Sequence, residues 1–304
     1  MIEVREVSKT LNGYRAVDNV SFKVRKGERF GILGPNGAGK TTLISMLSTA
    51  LKPDSGSIRI FGLDTVEDCI EIRKSVGVIF QECSLDDRLT AAENLWISSS
   101  LYKVPSEVRK QKIEESLKLV GLREWKDKIV RRFSWGMKRR LEIARAILAD
   151  PKLLLMDEPT LGLDPRARSE LWDYLTALDV TMVLTTNYTE EAEKLCTRVA
   201  LMDNGRMIAL DSPENLKKTI KGDVIVLRCE SPEKLASKLL EDYPDLKIVG
   251  EKIIITSREG EKTVSHIAKK VKKELKSIEV RPPTLNDVFL QLTGREIRGP
   301  GELR

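Results

Sequence analysis

At 304 residues the chain can bury a full core in one large domain plus a small one, or in two medium ones, and needs no disulfide or metal staples. Its 52 basic and 46 acidic residues leave a formal charge of +6, too even a balance to identify a nucleic-acid binder. The four cysteines, Cys69, Cys83, Cys196 and Cys229, stand singly with no Cys-x-x-Cys pair, which suggests neither a zinc site nor a disulfide framework and fits a reduced cytosolic setting.

Alternation of Ile2, Val4 and Val7 predicts a strand over 2–7, without the charged and apolar regions of a signal peptide, so an unexported chain is expected. The apolar runs at 153–156 and 224–227 fall far short of the roughly 18 residues of a spanning helix, so any membrane work needs a partner that spans the bilayer. Strands are also predicted over 17–24 and 29–33, the second running into a glycine-rich segment, and a helix starts near Lys40 with Leu43, Ile44, Met46 and Leu47. Apolar recurrence at Ile113, Leu117 and Val120, then at Leu141, Ala144 and Leu148, makes 86–150 a mainly helical insert. Strand-like runs at 153–156, 181–185 and 199–202 follow. Alternating with helices, they argue for an α/β core with a mixed, largely parallel sheet, preceded by an N-terminal antiparallel β subdomain.

The pattern resets at Lys221-Gly222-Asp223, which divides the chain into 1–221 and 222–304. The second part reads as strand 224–229, helix 232–241, strands 246–249 and 252–256, helix 260–275 and strand 277–281, the β-α-β-β-α-β order of a small α+β ferredoxin-like domain. A helix over 284–292 and a glycine-bearing tail follow. The basic clusters at Arg131, Arg132, Lys138, Arg139 and Arg140 and at 269–276 read as solvated helix faces, and no nucleic-acid partner is expected. The sole histidine, His266, reads as a solvent-facing helix residue.

Between the strand at 29–33 and the helix from Lys40, residues Gly34, Pro35, Asn36, Gly37, Ala38, Gly39, Lys40, Thr41 and Thr42 satisfy G-x-x-x-x-G-K-[ST], the phosphate-binding loop. Its glycines let backbone amides turn toward phosphates, and the helix offers its positive dipole end to the same charge. Lys40 is placed for the β- and γ-phosphates, and Thr41 for Mg²⁺. Asp157 ends the apolar strand Leu153-Leu154-Leu155-Met156 and brings a carboxylate toward Mg²⁺, while Glu158 is set to orient or deprotonate an attacking water.

The segment Phe133-Ser134-Trp135-Gly136-Met137 then resembles the signature loop of ABC transporter ATPases, usually Leu-Ser-Gly-Gly-Gln. Gln81, in Val78-Ile79-Phe80-Gln81, is similar to that family's Q-loop, and Leu161-Gly162-Leu163-Asp164 to its D-loop. The resemblance implies a P-loop ATPase core in which ATP on one subunit is covered by Ser134 and Gly136 of a second, in a homodimer or heterodimer closing around two ATP. It also implies that Gln81 touches Mg²⁺ or the attacking water and links the site to a transmembrane permease, with 83–95 as the docking face. Within that face Leu95 and Trp96 read as core of the helical insert. The run Arg281-Pro282-Pro283-Thr284-Leu285-Asn286-Asp287-Val288-Phe289-Leu290-Gln291-Leu292-Thr293-Gly294 resembles the end of the appendage on ABC-2-type subunits, which usually serve exporters of drugs, lipids or polysaccharides. A cytoplasmic chain, peripheral on the cytoplasmic face of the cell membrane, is the implied setting.

Three positions depart from the family pattern. Asn187 stands where the family places a histidine, and an amide cannot carry positive charge or shuttle a proton as imidazole does. Trp135 stands where the family has glycine, so its indole is expected to point away from the phosphate or to hold the interface open. Leu11 occupies the usual place of the adenine-stacking aromatic, which leaves Tyr14 as the candidate. With Glu158, Gln81 and Asn187 as the catalytic set, slow ATP hydrolysis is expected. The alternative is an ATP-gated binding module with little hydrolysis.

Overall fold

The computed structural model describes residues 1–271 and 274–297, beginning with a hairpin of β1 (Ile2–Leu11) and β2 (Tyr14–Val24). Val4, Val7, Val20, Phe22 and Val24 turn inward from it, and the Asn12-Gly13 turn, with φ of 48° and 79°, has the left-handed pair that a tight hairpin requires. Then come β3 (Arg29–Leu33), α1 (Lys40–Leu47), β4 (Ser55–Ile60), β5 (Leu63–Asp64), α2 (Cys69–Arg73) and β6 (Val76–Ile79). The helical insert consists of α3 (Ala91–Leu101), α4 (Ser106–Leu119) and α5 (Trp135–Ile147). A capping box between Thr90 and Glu93 starts α3 and satisfies two otherwise orphaned amides. The compact unit Met1–Leu210 is completed by β7 (Leu153–Asp157), α6 (Pro165–Thr176), β8 (Thr181–Thr186), α7 (Thr189–Leu195), β9 (Arg198–Asp203) and most of β10 (Arg206–Asp211).

The hairpin belongs to an antiparallel sheet ordered β2-β1-β4-β5, and the remaining strands form a sheet ordered β10-β9-β3-β8-β7-β6. In the second sheet β9, β3, β8, β7 and β6 are mutually parallel. All of β7 is buried, which explains its uninterrupted apolar run: a strand covered on both faces has no reason to alternate. The strand order seats β8 between β3 and β7, so the carboxyl ends of these three lie side by side. Strands β4 and β6 carry little sequence signal. One is half serine and glycine with only Ile58 and Ile60 turned inward, and the other is too short to show a period.

The unit Asp211–Ile297 contains α8 (Pro213–Lys218), β11 (Asp223–Cys229), α9 (Pro232–Leu239), β12 (Lys247–Val249), β13 (Lys252–Ser257), α10 (Gly260–Val271), β14 (Leu275–Arg281) and α11 (Leu285–Thr293). Its sheet runs β12-β13-β11-β14 with every neighbour antiparallel, the ferredoxin-like arrangement anticipated from the element order. The division falls after Leu210 rather than after 221, because α8 packs with α11 in this unit; the glycine at 222 marks only the entry to β11. Leu275 continues the apolar stripe of α10, four residues beyond Val271, yet it pairs with Cys229 as the first residue of β14. Lys272 and Lys273 of the basic cluster lie outside the described residues. His266 is exposed as expected, its Nδ1 3.0 Å from the Tyr243 hydroxyl.

Helices α6 and α7 are tied by Trp172 Nε1, which donates to Glu191 Oε1 at 3.1 Å, and Glu191 is fully buried. Burial raises the Glu191 pKa above the usual carboxyl range. As pH climbs past about 4.3, where an unperturbed glutamate ionises, the unfolded chain sheds this proton first, so native stability declines until the folded carboxyl also ionises. Glu191→Gln keeps the acceptor for Trp172 and is expected to melt higher than the parent at pH 8, an advantage that disappears at pH 4. Thermal melts giving the same difference at both pH values would contradict this.

Candidate active site

In open α/β sheets, ligands bind beyond the carboxyl ends of the strands, and here the ends of β3, β8 and β7 supply loops that meet. The loop after β3 leaves the sheet with the Gly34 amide donating to the Thr186 carbonyl at 3.3 Å. A Cβ on Gly34 would sit 2.2 Å from the Met202 carbonyl oxygen, and one on Gly39, at φ 100°, would sit 2.1 Å from that of Ala16, so only glycine permits this tight path. Gly39 also provides the N-cap of α1 without a capping side chain, leaving the first amides of the helix and its positive end open to an anion.

Lys40 is buried beneath this loop. Its Nζ donates to the carbonyls of Gly34 at 2.9 Å and Pro35 at 3.0 Å and lies 3.2 Å from Glu158 Oε1. Glu158 follows β7 with a φ of 47°, unusual for a residue with a side chain, and its amide donates to both the carbonyl and Oγ1 of Thr185, each at 3.1 Å. Thr185 Oγ1 in turn donates to Asp157 Oδ1 at 2.5 Å, which fixes the buried aspartate at the strand end. Asn187, just past β8 and 3% exposed, donates from Nδ2 to Asn36 Oδ1 at 3.4 Å, while its Oδ1 is buried with no donor among the described residues. Lys40, Asp157, Glu158 and Asn187 are thus gathered around the loop 34–42.

Thr41 is exposed on the first turn of α1, and Gln81 is exposed just beyond β6. Ser134 caps α5, its Oγ accepting from the Met137 amide at 3.2 Å, and lines a cavity of about 310 Å³ together with Gly136, Leu163 and Asp164. Tyr14 is 56% exposed opposite Leu11 at the hairpin end, two residues from Ala16, whose carbonyl abuts Gly39. Trp135 folds onto its own chain: its Nε1 donates to the Leu161 carbonyl at 2.9 Å and the ring rests against Gly162. Asp164 Oδ1 caps α6 through the amides of Arg166 and Ala167 at 3.1 and 3.0 Å.

Two expectations are overturned. Trp96 is half exposed, with the Arg109 guanidinium 5.0 Å from its ring centroid, whereas Leu95 alone enters the core; neighbouring helix positions point in different directions. Arg139 is not part of a solvated face. It is 2% exposed because its guanidinium finds a full set of acceptors, chiefly backbone carbonyls of Phe80 and of the turn 157–159. The signal was present in the sequence: Arg139 and Glu142 fall in helical phase with the buried Ile143 and Ala146.

Residues 17–161 match the family described as ABC transporter. Along 96% of its length the chain is 36% identical to the daunorubicin/doxorubicin resistance ATP-binding protein DrrA of Streptomyces peucetius, of which it covers 92%. The chain belongs to the ABC transporter family. It is likewise 38% identical to the Nod factor export ATP-binding protein I of Rhizobium sp. (strain N33), over 97% of this chain and 98% of that one. Among solved structures, a dimeric post-hydrolysis state of the ATP-binding cassette MJ0796 bound to ADP and Pi matches with a TM-score of 0.65 and 26% identity, covering 70% of this chain and 98% of that chain. The cbiO1 protein from Clostridium perfringens matches with a TM-score of 0.66 and 26% identity, over 80% of this chain and 95% of that one. As a member of the family, the chain binds ATP and is an ATPase.

We propose Tyr14 as the aromatic that stacks on adenine, because it lies two residues from Ala16, whose carbonyl abuts Gly39 of the nucleotide loop. An aromatic stack contributes about 0.5–1.5 kcal/mol, so Tyr14→Ala is expected to raise KM for ATP by roughly three- to tenfold with kcat unchanged. Steady-state ATPase measurements decide this, and an unaltered KM removes Tyr14 from the base site.

Proposed function

We propose that this chain is the ATPase subunit of an ABC-2-type exporter, closing in pairs around two Mg-ATP and driving a separate membrane-spanning permease. One observation carries the reading: the similarity to drug-resistance and Nod-factor-export ATP-binding proteins runs through the ferredoxin-like unit as well as the ATPase unit. No helix among the described residues is long and apolar enough to cross a membrane. In this reading the permease is a different chain, with this subunit peripheral on its cytoplasmic side.

The amides of the loop 34–42 and the positive end of α1 hold the phosphates. Lys40 then exchanges Glu158 for β- and γ-phosphate oxygens, and the released carboxylate takes a proton from the attacking water. Asn187 Oδ1, buried with no donor among the described residues, accepts a hydrogen bond from that water and so helps aim it. Thr41, Asp157 and Gln81 offer hydroxyl, carboxylate and amide oxygens, a hard donor set that suits Mg²⁺, with phosphate oxygens and water completing its shell. When bound, the ion neutralises charge on the β- and γ-oxygens. Ser134 and Gly136, at the amino end of α5, cover the nucleotide of a second subunit, identical or related.

Asn187 lacks the imidazole's charge, which makes turnover slow and favours a second reading: ATP-driven closure performs the work and hydrolysis only resets it. Because Asn187 serves its own chain's nucleotide and Trp135 faces the partner's, a heterodimer would place the two departures in different sites. The double variant Asn187→His, Trp135→Gly is expected to raise kcat by about 100-fold, the lower end of acid–base contributions. Turnover equal to the parent's would discard slow hydrolysis as a property of these positions. A Lys40→Ala chain that binds Mg-ATP as tightly as the parent would discard the nucleotide site itself.

A further inference from the structure

Three charged residues on one face of α5, Arg139, Glu142 and Arg145, bracket two loops that the proposed mechanism uses separately. The Arg139 guanidinium donates through Nε to the Pro159 carbonyl at 2.7 Å and through Nη2 to the carbonyls of Asp157 and Glu158, each at 3.1 Å. These are the three consecutive carbonyls of the turn that carries the hydrolytic carboxylate. Its Nη1 donates to the Phe80 carbonyl at 2.6 Å, the residue immediately before Gln81, and to Glu142 Oε2 at 2.8 Å. The other Glu142 oxygen, Oε1, accepts from the Ser84 amide at 3.0 Å and from its hydroxyl at 3.4 Å. Arg145 donates to the Ser84 carbonyl at 3.1 Å and to its Oγ at 2.6 Å. The segment 81–83 is therefore held at both ends by the same helix face that grips the Asp157–Pro159 turn.

We infer that Arg139, supported by Glu142 and Arg145, is a positioning residue that makes the placement of Glu158 depend on the conformation of the Gln81 loop. This rests on the proposed roles of Glu158 and Gln81. A planar guanidinium suits the task because its donors are fixed relative to one another, so a shift of the Phe80 carbonyl either rotates the fork or breaks one of its bonds to the turn. Both Arg139 and Glu142 are buried, so water cannot readily replace a lost partner and the two loops are constrained to move together. The surface around Gln81 and Ser84 is open, which gives an outside partner a place to act on this linkage.

The test uses the purified full-length chain, with ATP turnover read as kcat and KM separately. Arg139→Met is expected to lower kcat by about 10- to 100-fold, as misplacement of a reacting group by about an ångström does, with KM for ATP within about threefold of the parent. A loss confined to kcat marks an interaction made in the transition state, whereas a purely structural defect raises KM for ATP as well. Arg145→Gln removes its two bonds to Ser84, leaving Ser84 held by Glu142 alone and sparing every Arg139 bond, and is expected to lower kcat by a smaller factor, about threefold or more. Glu158→Gln is measured alongside. If it loses turnover while Arg139→Met or Arg145→Gln keeps the parental kcat, the positioning role is wrong and the proposed mechanism stands. If Glu158→Gln itself turns over normally, the reading beneath the inference has failed. Should Arg139→Met not melt cooperatively, Arg145→Gln alone decides.

Discussion

The site is organised around one buried ammonium. Lys40 sits under a loop whose carbonyls it holds and faces a carboxylate 3.2 Å away, so the group that meets phosphate and the group assigned to the water restrain each other. A buried pair of this kind tolerates the loss of one partner poorly, because the remaining charge keeps its desolvation cost. The geometry around it follows from that constraint. Gly34 and Gly39 admit the loop close to the Met202 and Ala16 carbonyls, and Glu158 accepts an unusual left-handed backbone to reach the lysine. The parallel strands supply the rigidity: β8, wedged between β3 and β7, provides Thr185 to fix Asp157 and Glu158 and leads into Asn187.

Much of this was legible in the residues. The strand, glycine loop and helix around Lys40, the apolar run ending at Asp157, and the βαββαβ order of the appendage each carry a local signature, in steric or periodic form, that survives folding unchanged. What stayed hidden depends on partners far along the chain. Helical phase with Ile143 and Ala146 marks Arg139 as inward-facing, but the carbonyls of Phe80 and of 157–159 that accept from it lie far along the chain and are not announced by the helix. Thr185 looks like any β-branched strand residue, and only the neighbouring strand shows that its hydroxyl serves Asp157. Leu275 and Trp96 failed for a related reason. The helix was extended to Leu275, but pairing with Cys229 claimed it, and Trp96, next to the buried Leu95 on α3, points in another direction and stays outside.

The ferredoxin-like unit has a core of its own, built from Ile225, Leu227, Ile253, Ile255 and Ile267 beneath α9 and α10. Its last helix is secured by a capping box between Thr284 and Asp287, and Arg281 grips the same aspartate with two bonds, at 2.6 and 2.9 Å. The segment that resembles the end of an exporter appendage is thus a fold-defining helix start, whose residues are explained by capping and charge pairing.

The indole of Trp135 has a consequence for assembly. By fastening the start of α5 to the Leu161 carbonyl, it joins two loops that in the proposed pair both look outward, toward the neighbouring subunit. Surfaces that are already ordered relative to each other lose less freedom when they meet a mate. A bulky ring in a place usually left to the smallest residue therefore exchanges suppleness within one protomer for a stiffer, preassembled edge at the seam between two.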